Sequence, residues 1–314
     1  MGDRAHCGDR NRARGLKKRI GVNHDMYRKS LLKTTTCLLL LGPFMVAPIR
    51  TAEGGDDAGI LFREGFDDAK LLKRGWYDGS KFKISARDAY RGEGCIEFQW
   101  KDGGTTPISS SGVRHLFPPT EQVYLRYYIK LSSDWGWSNR PYHPHLTHFM
   151  TTENSKYHGP AASHLTLYVE PVGGKLRLAA TDIQNKDAPH GLTQGPLRGG
   201  YNGRFFDSKQ KLFDDSAWHC VEALFKLNSL DQKTDKPNAD GEVRSWFDGR
   251  PVFERTDVVF RSADFPKMKF NQFLLTPYFG PKLLPHAQTL WIDELVVGTK
   301  RIGPVAPRRN GATD

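Results

Sequence analysis

The chain of 314 residues carries 46 Lys and Arg against 35 Asp and Glu, a formal net charge of +11 with a pI near 9.4. The excess is N-terminal: the residues up to Ala52 hold eleven basic and three acidic side chains, and those beyond hold 35 and 32, a net of +3. That balance excludes the broad basic surface on which nucleic-acid binding depends, while a small positive excess still suits an anionic ligand.

Residues 1–25 are basic and aperiodic and read as a disordered extension or a mis-assigned start. From Met26, a basic run (Arg28, Lys29, Lys33) leads into the apolar stretch CLLLLGPFMVA, Cys37 to Ala47, and then into small residues. Residues 26–52 therefore read as a cleaved signal peptide, which makes the protein secreted or periplasmic. The apolar stretch is too short to span a bilayer, so an integral membrane protein is not expected. Cys95 and Cys220 remain beyond it. In an oxidising compartment they read either as one non-local disulfide or as two buried thiols.

From Ile60 to Pro304 short alternating runs are broken by Gly, Pro, Asn and Asp, the signature of an all-β sandwich in one domain, residues 60–304. In CIEFQW, Ile96, Phe98 and Trp100 oppose Cys95, Glu97 and Gln99. In VYLRYYIKLS, Val123, Leu125, Tyr127, Ile129 and Leu131 form one face and Tyr124, Arg126, Tyr128 and Lys130 the other. SHLTLYVE repeats the scheme, with Leu165, Leu167 and Val169 against His164, Thr166, Tyr168 and Glu170. WHCVEALFKLN, VRSWFDGRPVFE with a turn at Asp248–Gly249, NQFLLTPYF and TLWIDELVVG complete the strands. No long amphipathic helix and no internal repeat is present, and residues 305–314 read as a disordered tail.

Five of the eleven histidines fall between His143 and His164, three of them in YHPHLTHF. Three readings compete: proton-transfer groups, metal ligands, or packed histidines. His148 is in phase with Leu146 and Met150, which favours packing. Zinc or copper would need a bend, because His145 and His148 point oppositely on a regular strand.

The pieces LFREGFDD, AWHCVEALFKLNS, DGEVRSWFDGRPVFE and TLWIDELVVGTKRIGP together resemble concanavalin A-like jelly-roll domains, most of all bacterial secreted proteins related to polysaccharide lyase family 14. The resemblance covers residues 60–304. It implies a jelly-roll β-sandwich of two antiparallel sheets with a concave groove, and β-elimination on an acidic, uronic-acid polysaccharide without a catalytic cofactor. The family's motif residues are replaced here. His143 or His145 stands in place of its lysine, His164 and Thr166 stand where its arginine would be, and KLRLAATD lacks its tyrosine pair.

Elimination needs a donor or cation beside the sugar carboxylate, a base for the C5 proton and an acid for the leaving oxygen. His145 or His148 is expected as base, Tyr278 or Tyr128 as acid, and Arg126 with Gln272 as neutralisers. Lys130, His143, His164 and Tyr168 would line the groove with Tyr128. These assignments require the polar stripes of VYLRYYIKLS and SHLTLYVE to face one trough. The resemblance also implies a structural Ca2+ between the first and last strands, at Glu64 and Asp293. The alternative is a non-catalytic carbohydrate-binding module. A glycoside hydrolase is third, since its paired carboxylates are not evident.

Overall fold

The computed structural model describes residues 58–137, 145–152, 165–182, 204–213, 215–261, 263, 265–279 and 284–307. Residues 26–52, read from the sequence as a signal peptide, and His143 and His164 lie outside the described residues. Fifteen strands and one short 3-10 helix, η1 (Leu71–Arg74), follow one another: β1 (Ile60–Glu64), β2 (Trp76–Tyr77), β3 (Ile84–Ser85), β4 (Cys95–Trp100), β5 (Val113–Thr120), β6 (Gln122–Leu131), β7 (His145–Thr151) and β8 (Leu165–Val172). Then come β9 (Lys175–Asp182), β10 (Arg204–Asp207), β11 (Trp218–Lys226), β12 (Gly241–Phe247), β13 (Arg250–Val258), β14 (Phe270–Tyr278) and β15 (Gln288–Gly298).

They form two antiparallel sheets. Sheet A runs β13-β12-β11-β6-β15-β4-β3, with β1 also paired to β15; sheet B runs β10-β9-β8-β7-β14-β5-β2. This is the expected all-β jelly-roll sandwich. Period-2 alternation builds it: Val123, Leu125, Tyr127 and Ile129 of β6 and Leu165, Leu167 and Val169 of β8 all enter one apolar core. Each such side chain stabilises the fold by roughly 1.5–3 kcal/mol on burial. The turn at Asp248–Gly249 has positive φ at both residues, 49° and 79°, the geometry a tight two-residue hairpin demands.

Alternation breaks in β15. Core residues pass from Leu290 and Ile292 to Leu295 and Val297 across a register shift between Asp293 and Val296, with Glu294 at φ 49°. There β15 exchanges β4 for β1 as its neighbour on one edge. The Asp293 carboxylate fills the gap, accepting from the backbone N–H of Tyr90 (2.8 Å), Arg91 (3.0 Å) and Glu294 (2.6 Å). Burial nevertheless pushes its pKa up to about 7.

The outer face of sheet A is taken up in holding other segments. The chain beyond β15 lies over it as a strap. Glu222 accepts from Ile302 N at 2.7 Å, and the Tyr128 hydroxyl donates to Val305 O at 2.7 Å and accepts from Val305 N at 2.8 Å. Tyr90 stacks on Tyr128 with centroids 3.7 Å apart and donates to the same carbonyl. Val305, assigned by sequence to the tail, is thus anchored.

Cys95 and Cys220 are buried free thiols. They stand in β4 and β11, three strand spacings or about 14 Å apart across the sheet, too far for a disulfide. Replacing Tyr128 by Phe removes both strap hydrogen bonds and should cost about 1–2 kcal/mol. A thermal melt should show the midpoint falling by roughly 2–6 °C; an unchanged midpoint would contradict the anchoring role.

Candidate functional site

The outer face of sheet B collects the remaining polar groups. Because side chains alternate, cross-strand register orders its residues into rows. One row reads Phe205, Ala179, Tyr168, His148, Leu274, Arg114, Tyr77 from β10 to β2. A second includes Asp207 paired with Arg177, Arg177 with Glu170, and His145 with Tyr278. A third holds Thr166, Met150, Gln272 and Leu116.

Four aromatic groups meet where the first two rows adjoin. The His145 ring lies 5.0 Å from Tyr168, 5.7 Å from His148 and 6.3 Å from Tyr278 by centroids, and His148 meets Tyr168 edge-on at 4.5 Å. A regular strand would point His145 and His148 oppositely. Here Leu146 and Phe149, three residues apart, both enter the core, so β7 itself departs from alternation, opposite an extra residue of β14 between Leu275 and Tyr278, and the two imidazoles share a face.

Glu170, 2% exposed, places a carboxylate oxygen 3.4 Å from His145 Nδ1. The contact is at ion-pair distance but does not meet hydrogen-bond geometry. The carboxylate lies against the imidazole and can orient it. His148 is buried, and burial, with the neighbouring His145, holds its pKa well below the ordinary histidine value. It is therefore a neutral ring.

Cations flank the cluster. Arg177 forms a bidentate pair with Asp207, Nε–Oδ1 2.7 Å and Nη2–Oδ2 2.8 Å, and covers the Phe205 ring at 4.3 Å. Arg114 pairs with Asp78 at 3.1 Å. Gln272 donates to the Tyr77 hydroxyl, whose pKa burial raises.

The structure thus brings together His145, His148, Tyr168 and Tyr278, and places Gln272 on the same face in the third row. Arg126, Tyr128 and Lys130 are elsewhere, on the outer face of sheet A, with the whole apolar core between them and the histidines. The single trough expected from both stripes is corrected to one stripe per face. Tyr128 holds the strap, and Lys130 donates to Asp88 at 3.0 Å. Sequence reasoning missed Arg114 and Tyr77 because the prolines of VRHLFPPT obscured β5 and β2 is only two residues long.

The carboxylates expected to hold Ca2+ do not fit a cation. Glu64 accepts from Arg74 Nε (2.8 Å) and Nη2 (3.0 Å), Trp76 Nε1 (3.0 Å) and Phe66 N (2.9 Å), and Asp293 faces three N–H groups. Among the described residues no group of three or more His, Cys, Asp or Glu is arranged to hold a metal. Two cavities lie off the sheet B face, one of about 380 Å³ beside Arg126 and one of about 430 Å³ beside Trp135 and Trp137.

No protein-family model and no curated protein matches the chain. Solved structures do. The alginate lyase vAL-1 from Chlorella virus superposes with a TM-score of 0.55 at 14% identity, covering 74% of this chain and 98% of that one. The marine PL-14 alginate lyase from Aplysia kurodai gives 0.51 at 12% identity, covering 77% and 99%. The endo-beta-1,4-glucuronan lyase from the fungus Trichoderma reesei gives 0.50 at 18%, covering 77% and 96%. This chain shares their sandwich fold. At such identities the likeness concerns architecture, and function has to be argued from the site.

Neutral, buried His148 makes stability depend on pH. Below about pH 6.5 the unfolded chain takes up a proton at this residue and the folded protein does not. Stability should therefore fall as pH drops from about 6.5 toward the lower folded pKa, by up to about 1.4 kcal/mol per pH unit from this group. Denaturant melts of His148→Asn across pH 4–7 should show a shallower slope than the parent; identical slopes would contradict a neutral His148.

Proposed function

We propose that the outer face of sheet B is the groove of a polysaccharide lyase that cleaves an acidic polysaccharide by β-elimination. The observation that carries this is the convergence of His145, Tyr168 and Tyr278 on one face, with the Glu170 carboxylate against His145 and Arg114 and Gln272 on the neighbouring strands. The sandwich shared with alginate and glucuronan lyases supports the reading. So does the N-terminal leader, which would deliver the protein to extracellular or periplasmic polymer.

The chemistry follows from the groups. A uronate carboxylate near Arg114 and Gln272 would have its charge offset, which acidifies the adjacent C5–H. The His145 imidazole takes that proton, and the freed electron pair becomes the C4–C5 double bond. The C4–O4 bond breaks, and the departing oxygen takes a proton from the Tyr278 hydroxyl. The His145 proton returns Tyr278 to its starting state through solvent. His148 remains uncharged and packs beneath the reacting groups, and Tyr168 offers a ring face for stacking on a pyranose.

The alternative, binding without cleavage, is favoured by one observation: both flanking arginines are already ion-paired, to Asp78 and Asp207. Ultraviolet absorbance separates the two readings, because elimination leaves an unsaturated uronate. With alginate or glucuronan the absorbance should rise, and His145→Ala should slow the rise by about 10²–10⁴-fold. Retention on polymer gels with no absorbance change would establish the binding module. Neither retention nor turnover on any acidic polymer would overturn the sugar-handling reading.

A further inference from the structure

A second polar site lies on the opposite sheet and is built around Arg126. Its side chain is 3% exposed, yet among the described residues Nε and Nη1 have no hydrogen-bond partner. Nη2 comes no closer to Glu294 than 3.8 Å, outside hydrogen-bond reach. Glu222, its cross-strand neighbour in β11, spends its carboxylate on the N–H groups of Ile302 and Gly303. The Tyr128 ring beneath Arg126, 5.5 Å away, offers only a weak cation–π contact. A buried guanidinium with two unused donors is strongly unfavourable by itself.

That guanidinium lines the cavity of about 380 Å³, together with Arg63, Arg91, Asp67 and Glu294. Glu64 is also on its wall, but Arg74 neutralises it and Trp76 binds it. Asp67 already accepts from Glu93 N at 2.6 Å. The unmet donors of Arg126 and the guanidinium of Arg91 therefore border a partly enclosed space. The volume is at the small end of the range for ligand sites, about 300–1,000 Å³.

We propose that this cavity binds a small oxyanion, a carboxylate or sulfate group, with Arg126 as its buried anchor and Arg91 as an outer contact. Paired N–H donors on a planar guanidinium match two oxygens of such a group. The strap residue Val305 lines the same cavity, so an occupant would touch both the sheet and the C-terminal segment. This site does not depend on the lyase reading, and either can fail alone.

The test is thermal melting of the full chain in sodium chloride, then at equal ionic strength in sodium acetate, sodium sulfate or sodium glucuronate. The unmodified protein should gain about 2–4 °C at saturating oxyanion. Arg126→Met should lose that gain while melting in chloride no lower than the parent, since a buried charge with unmet donors is removed. Arg91→Ala, at a half-buried position, should require at least about tenfold more anion for the same rise and covers the case in which the Arg126 variant fails to fold. A rise with acetate and sulfate identifies a free anion, and a rise with glucuronate alone identifies a sugar acid; either supports the site. No rise in the parent, or equal rises in the parent and in both variants, would overturn it.

Discussion

The apolar layer between the two sheets decides where everything else in this molecule can go. Each long strand gives alternate side chains to that layer, Leu125, Tyr127 and Ile129 from β6, Leu165, Leu167 and Val169 from β8, Phe270, Phe273 and Leu275 from β14. Once those are committed, the other side chains of a strand can face only outward, and a strand of sheet A and a strand of sheet B face outward in opposite directions. The polar chemistry is thereby divided between two surfaces about a sandwich thickness apart.

The two surfaces are used differently. On sheet A the outward groups are consumed by the protein itself: Glu222 and Tyr128 hold the strap, and Asp293 closes the gap where β15 changes neighbours. Arg126 stands apart from this economy of partners. On sheet B, His145, Tyr168 and Tyr278 form a cluster of ring contacts. Among the described residues, charged pairs flank it, Arg114 with Asp78 and Arg177 with Asp207, and Glu170 lies against His145. That division explains why a stable fold and a reactive face can coexist: the face that supports the architecture is not the face proposed for chemistry.

Much of the fold was legible in the sequence, because alternation is a local property. The inward phases of β4, β6 and β8 and the Asp248–Gly249 hairpin follow from residue order alone. What alternation does not encode is which sheet a strand joins. Arg126 and Tyr168 both read as outward and polar, but β6 lies between β11 and β15 whereas β8 lies between β7 and β9. Nor does one strand reveal a bulge in its neighbour. His145 and His148 share a face because β7 departs from alternation between Leu146 and Phe149, opposite an extra residue in β14, which the order HLTHFM does not announce. Arg114 and Tyr77 enter the site only through pairing with β14 and β5, at sequence separations that no local pattern spans.

The most direct measurement of the central claim is histidine-ring NMR of the protein during titration with an alginate or glucuronan oligosaccharide, with rings assigned by single substitution. The account predicts that the His145 and His148 resonances move together while His219, held between Asp215 and Asp248 on sheet A, does not. Movement of His219 with His145 and His148 unperturbed would show that sugar, if bound, is not handled by the outer face of sheet B.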